Sequence, residues 1–453
     1  MSERLECISD LILNLLEIVV KQVSTDCHAH KYYIKFLQHI HNKTQELDKN
    51  YKKLHNTDTV FYHGCEQDQF FMEAFINKAP SNYLAAAYRI VPFASESKLN
   101  PIKRFYFNEP RNTKKIDFSK TKGVLFMLHG FGSSFLSIMS RSTLYPTEII
   151  DSPEIPKDLT SKVLEKSKQN IESYTFESSL TQAIANEGYA IYGFDYENHG
   201  LSSSMNEVHA HLRSLDLIFS DVINFILDVH EMEDIPESVP IYIMGHSLGG
   251  LIALYVVRKL LVMQTTPPRR INLTKIIFLT PFFSLSSDTL PSDPENNTSL
   301  TKFYTSVSNS FIRLYNVFMY MSARVVASMP ECCFRKRYLS ITSNADEKFS
   351  YIYPLLSKDH LSVSKKFPLN TCIMVTNYVS SLNDSPLPCF ISVHYFGVKK
   401  DHIVGNNISL NFVRKITSGH VDVIVTDTQN HILQHSPDLK YFHNTIKKFL
   451  QPN

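Results

Sequence analysis

Tryptophan is absent from this 453-residue chain, and glycine occurs only 13 times. The seven cysteines (Cys7, Cys27, Cys65, Cys332, Cys333, Cys372 and Cys389) form no C-x-x-C pair. Their odd number and scatter argue against a disulfide framework, so reduced thiols are expected. Neither sign of charge is in excess: 46 basic residues stand against 44 acidic ones, leaving no basic field to attract nucleic acid. Long hydrophobic runs are also lacking. The apolar stretch near the start is interrupted by Asn14 and Glu17, and no small-residue cleavage site follows it. Neither a cleaved signal peptide nor a membrane-spanning helix is expected there, which places the chain in the cytoplasm, with peripheral membrane contact left open. Cys27, His28, His30, His39 and His41 cluster in sequence but lack a zinc spacing, so no metal site is expected. Internal repeats and low-complexity tracts are missing too.

What is present suffices for a sizeable buried core, with 43% hydrophobic residues. At roughly 100–200 residues per domain, the length suggests a core domain with one or two additions. Residues 1 to about 95 read as a mostly helical extension with polar faces. Within it, Leu5, Ile8, Ile12, Leu15 and Val19 recur at helical spacing. That amphipathic helix would dock on the protein itself, or else meet a membrane surface or a partner.

From Lys103 onward the pattern changes. "RFYFN" (104–108), "GVLFMLHG" (123–130), "YAIYGFD" (189–195), "VPIYIMG" (239–245), "KIIFLTPF" (275–282), "CFISVHYFG" (389–397) and "VDVIVTD" (421–427) read as strands. Most are short continuous apolar runs, as expected of strands buried on both faces. Helical stretches lie between them, among them "LDLIFSDVINFILDVHEM" and the closing "PDLKYFHNTIKKFL". Strands alternating with helices predict an α/β fold with a mostly parallel central sheet covered on both sides. Residues 284–386 interrupt the alternation. Val307, Phe311, Leu314, Tyr315, Phe318 and Val325 recur there at helical spacing, and Arg313, Asn316 and Arg324 argue against a membrane span. An inserted helical cap is the simplest account.

Three of the scarce glycines fall within six positions around one serine, in "GHSLGG" (245–250). The G-x-S-x-G spacing, after an apolar strand and before a helix, is that of a nucleophile elbow. The serine must sit on a sharp turn with unfavourable backbone geometry, and small residues two before and two after let neighbouring backbone close in. A hydroxyl needs a base to become a nucleophile and donors for the oxyanion that forms. The N–H of Leu248 is one candidate donor. "LHGFGSS" (128–134) supplies the other at Phe131, unless it is an ordinary glycine turn. For the base, His431 on the loop after the last strand is preferred to His435, four residues on. For the acid, Asp401 follows a strand and precedes His431 by thirty residues; Asp427 lies too close to His431, and Asp195 precedes the serine. The chain order Ser247, Asp401, His431 fits a catalytic triad.

"HGFG", "GYAIYGFDYENHGLS", "GHSLGG", "FGVKKDHIV" and "NHIL" occur in the order seen in monoglyceride-lipase and lysophospholipase-like α/β-hydrolases, the serine aminopeptidase S33-like group, which the chain resembles over roughly 120–283 and 387–453. The resemblance implies an α/β-hydrolase core in two parts, 96–283 and 387–453; it does not reach the extension at 1–95 and is loose in the inserted cap at 284–386. It departs from the group's D-x-R-G-H-G-x-S at Glu197 and Asn198, in a loop that is structural in relatives, and residues 135–178 lengthen the loop after the oxyanion strand. The implied activity is hydrolysis of carboxylic esters of lipids, with lysophospholipid or monoacylglycerol leading. A small-ester esterase, an acyltransferase on the same triad and a non-catalytic scaffold are the alternatives. No metal or organic cofactor is implied, and no partner protein is indicated.

Overall fold

Continuous apolar runs in this chain pair with one another to form one eight-stranded sheet. The computed structural model describes residues 70–81, 84–92, 94–96, 114–142, 174–175, 178–200, 210–263, 271–284, 338–340, 366–399, 401, 403–417, 421–427 and 429–451, with the single residues 158, 162, 165 and 202. The main-sheet strands are β1 (Phe70–Lys78), β2 (Leu84–Pro92), β3 (Gly123–Leu128), β4 (Tyr189–Phe194), β5 (Ile241–His246), β6 (Leu273–Leu279), β7 (Ser392–Val398) and β8 (Val421–Thr426). Their order is β1-β2-β4-β3-β5-β6-β7-β8. β1 and β2 form an antiparallel hairpin, β2 runs antiparallel to β4, and every later pairing is parallel.

Residues 70–78 and 84–92 correct one expectation. They are strands of the main sheet, not part of a helical extension. The alanines of "LAAAYRIVP" suggest helix by propensity, but the segment alternates with a period of two. Ala85, Ala87 and Val91 join the core on one face of the sheet, and Ala86, Tyr88 and Ile90 join the core on the other. Packing on both faces overrides local preference. The expected N-terminal amphipathic helix, the strand at 104–108 and the cap helix over 307–325 lie outside the described residues.

Helices cover both faces. The apolar stripe of α3 (Leu215–Met232) is buried as its spacing predicts: Leu215, Ile218, Phe219, Val222, Phe225, Ile226 and Val229 all face the core. Its Ser214 N-cap accepts from the Asp216 N–H. At its other end Glu233 is fully buried against Arg89 of β2, with Nε 2.6 Å from Oε1, and Tyr192 of β4 donates to the same carboxylate at 2.6 Å. Beside it, α4 (Leu248–Met263) is apolar nearly all round, as befits a helix wedged between sheet and neighbouring helix. Two shorter helices, α1 (Phe135–Met139) and α2 (Leu180–Ala185), follow β3 and precede β4.

Of the segment read as an inserted cap, a short strand pair (Tyr338–Ser340 with Lys366–Pro368) and helix α5 (Leu369–Ser380) are described. α5 belongs to the core packing: Tyr378 meets the rings of Phe219 and Tyr255 edge-on. Helix α6 (Asn406–Ile416) lies between β7 and β8, and α7 (Leu439–Leu450) closes the fold. The last carbonyls of α7 are held by side chains from the sheet face that it covers. Tyr189 donates to Leu450 O at 2.6 Å and Lys275 to Phe449 O at 3.2 Å.

Candidate active site

Between the last residue of β5, His246, and the first of α4, Leu248, stands a single residue, Ser247, with φ of 52°. A serine held in the left-handed region costs of order 1–3 kcal/mol, so the surroundings must impose the turn. They do so through absent side chains. A Cβ at Gly245 would lie 2.1 Å from the Gly249 carbonyl oxygen, and one at Gly249 would lie 2.2 Å from the Leu128 carbonyl oxygen of β3. Backbone hydrogen bonds complete the clamp. The Ser247 N–H donates to Leu279 O at 3.0 Å, and its carbonyl accepts from the Gly250 and Phe282 N–H groups, each at 2.9 Å.

Asp401 and His431 follow β7 and β8, so the parallel sheet brings both to the strand-end rim where Ser247 sits. His431 Nδ1–H donates to Asp401 Oδ2 at 2.7 Å. The other carboxylate oxygen accepts from the N–H groups of Ile403, at 2.8 Å, and Val404, at 3.0 Å. Burial alone would push the Asp401 carboxyl up. The neighbouring His431 and these hydrogen bonds outweigh it and leave Asp401 below the usual carboxylate value. An ionised Asp401 keeps the proton on Nδ1 and leaves Nε2 as the accepting nitrogen, which is the tautomer a general base requires. A second link ties His431 to the elbow: His246 Nε2–H donates to the His431 carbonyl at 2.8 Å, and the two rings lie 5.1 Å apart.

The alternatives are placed differently. His435 is buried in a 3₁₀ turn (Leu433–His435), and burial pushes its imidazole down to about 4. Asp195 is fully buried just past β4, where it accepts from Tyr88 Oη at 2.9 Å and the Phe135 N–H at 2.7 Å. Asp427 is exposed.

The two expected oxyanion donors flank the elbow. Leu248 opens α4, so its N–H has no intrahelical acceptor. His129, Gly130 and Phe131 follow β3, and a Cβ at Gly130 would stand 3.2 Å from Ser247 Cβ. The loop after β4 explains its own departures. Asn198 has φ of 60°, a conformation asparagine tolerates where glycine is usual. Glu197 is buried against Arg213, with Oε1 2.7 Å from Nε. Sequence reasoning passed over His129, His246 and Arg213. The first two bond to backbone atoms, His129 to Gly130 O and His246 to His431 O, and residue type alone does not reveal such bonds. Among the described residues, no group of three or more His, Cys, Asp or Glu side chains is disposed to hold a metal ion, and no helix is long and apolar enough to cross a membrane.

Comparison with known families matches residues 170–438 to Serine aminopeptidase, S33. That span contains Ser247, Leu248, Asp401 and His431. Comparison with curated protein sequences gives no match. Similar solved structures include a soluble variant of monoglyceride lipase from Saccharomyces cerevisiae in complex with a substrate analog, 13% identical, covering 86% of this chain and 98% of that one, with a TM-score of 0.47. A monoacylglycerol lipase from Paleococcus ferrophilus is 16% identical, covering 73% and 95%, with a TM-score of 0.39. The esterase Pf2001 from Pyrococcus furiosus is 13% identical, covering 87% and 98%, with a TM-score of 0.38.

Proposed function

Since the chain belongs to the Serine aminopeptidase, S33 family of α/β-hydrolases, we propose that it is a serine hydrolase that cleaves carboxylic esters of lipids, with lysophospholipid or monoacylglycerol as substrate. The observation that carries the reading is the Asp401–His431 hydrogen bond at 2.7 Å, on the same rim as a serine held at positive φ. Ser247 Oγ attacks the ester carbonyl carbon while His431 Nε2 takes its proton. Asp401 orients the imidazole and stabilises its cation. The N–H groups of Phe131 and Leu248 receive the tetrahedral oxyanion. Collapse breaks the ester C–O bond, and the departing alcohol takes the proton from His431. A water molecule, deprotonated by the same histidine, then attacks the acyl-serine and releases the acid. Water and a competing alcohol enter this second half by the same route, so acyl transfer would use the same groups.

The preference for lipid esters rests on the sequence resemblance. Purified protein should be assayed against lysophosphatidylcholine, 2-monoacylglycerol, p-nitrophenyl butyrate and aminoacyl p-nitroanilides. Turnover of the first two above the short ester supports the proposal. Exclusive turnover of the anilides would replace it with a peptidase, and adding glycerol as acceptor would expose a transferase.

A further inference from the structure

We propose that His129 is a positioning residue for the oxyanion site: it locks the Gly130–Phe131 peptide so that the Phe131 N–H is held toward the reacting carbonyl oxygen. This rests on the triad reading above and adds a residue to it. The argument is one of covalent geometry. The Gly130 carbonyl and the Phe131 N–H belong to the same peptide unit, and no cis bond occurs among the described residues. In a trans peptide the two groups point in opposite directions. Fixing the carbonyl therefore fixes the N–H.

The carbonyl is fixed twice. His129 Nδ1 lies 2.8 Å from it, and the Ser133 N–H donates to it at 3.3 Å. A carbonyl only accepts, so Nδ1 must carry the proton. The far side of the ring agrees: the Tyr196 N–H donates to His129 Nε2 at 3.1 Å, which requires a bare nitrogen there. Both contacts thus demand one neutral tautomer. Burial, with His199 and His246 nearby, keeps the His129 imidazole well below 6.5 and hence neutral at neutral pH. Asp195 Oδ1 stands 4.0 Å from Nε2, beyond hydrogen-bond reach. Tyr196 packs its ring 3.9 Å from the imidazole and leaves it little freedom to rotate. The locked peptide also lies against the nucleophile, since a Cβ at Gly130 would come within 3.2 Å of Ser247 Cβ.

Two amides separate the ring's two contacts. In His129→Asn the side-chain N–H falls near the place of Nδ1 and can still hold the Gly130 carbonyl, while the bond from Tyr196 is lost. In His129→Gln the amide falls near Nε2, and the hold on Gly130 is lost instead. The measurements are the rate at which a fluorophosphonate labels Ser247, the kcat and KM for p-nitrophenyl butyrate, and the melting temperature. Loss of one oxyanion donor costs about 10²–10³ in rate, and misorienting it should cost somewhat less. His129→Gln should label and turn over about 30–100-fold more slowly with KM nearly unchanged, and His129→Asn should stay within about fivefold of the parent. Equal losses in both variants that track their melting temperatures, or no loss in either, would overturn the proposal. A parent protein that fails to label at all would sink the triad reading, and this proposal with it.

Discussion

Replacing Asp401 by asparagine should remove nearly all activity without disturbing the fold, and the reason lies in which oxygen the structure leaves no choice about. Asp401 Oδ1 accepts from the N–H groups of Ile403 and Val404 at 2.8 and 3.0 Å, while Oδ2 faces His431. In Asp401→Asn the single remaining oxygen is claimed by those two donors. The amide NH₂ then faces His431 Nδ1 and can only donate to it. That forces the proton onto Nε2 and would deprive Ser247 of the base proposed for it. Turning the amide around would restore the productive tautomer but set the NH₂ against two N–H groups. Each lost or unsatisfied bond costs about 1–3 kcal/mol, so the productive arrangement lies about 2–6 kcal/mol uphill. Loss of the negative charge beside the imidazolium adds to this. The expected fall in kcat/KM for p-nitrophenyl butyrate is about 10³–10⁴-fold, equivalent to about 4–5.5 kcal/mol. The melting temperature should hold, since the amide keeps the two backbone bonds. A variant within tenfold of the parent would refute the assignment of Asp401 as the orienting acid.

Two further outcomes follow from the same geometry. Gly249→Ala would drive a methyl group to 2.2 Å from the Leu128 carbonyl oxygen, which is backbone of a central strand and cannot yield. It should cost several kcal/mol and yield little folded protein, as judged by thermal melts of the soluble fraction; a variant as stable as the parent would show the elbow to be looser than described. The second concerns pH. Burial lowers His246 to about 3 and His435 to about 4 from 6.5, so between these values and 6.5 the unfolded chain binds protons that the folded one does not. Stability is therefore lost as pH falls through that window, by about 2 kcal/mol per histidine at pH 5. Asp221 opposes this. Its carboxyl is raised by burial from 3.8 to about 6, so the folded state is the one that gains a proton there, returning about 1 kcal/mol at pH 5. For a chain of 453 residues, the drop in melting temperature that these three groups contribute from pH 7.5 to 5 should be roughly 3 °C, and a flat profile would show these imidazoles to be hydrated or absent from the core.

Much of this architecture could be read in advance, for physical reasons that differ by element. The elbow was legible because backbone packed at 2.1–2.2 Å from a missing Cβ admits only glycine, and so few glycines make the cluster stand out. β3, β4 and β5 were legible because burial on both faces demands unbroken apolar runs. Asp401 and His431 stand out as candidates because each lies just past a strand of the sheet. β1 and β2 were misread because a sheet shared with distant segments, not local preference, decides the conformation of an alanine-rich stretch. The buried Arg89–Glu233 pair joins residues 144 apart, and His246 reaches the His431 carbonyl across 185. Bonds of that kind leave no periodic trace. Asn198 is an intermediate case: its departure from glycine was visible, but its compatible left-handed backbone emerges only from the fold.

Covalent labelling at Ser247 tests the central claim most directly. Incubated with a fluorophosphonate, the parent protein should gain the mass of one adduct, located on the peptide containing Ser247, and Ser247→Ala should gain none while melting at the same temperature. An adduct that persists in Ser247→Ala, or a parent that remains unmodified at reagent excess, would contradict the account.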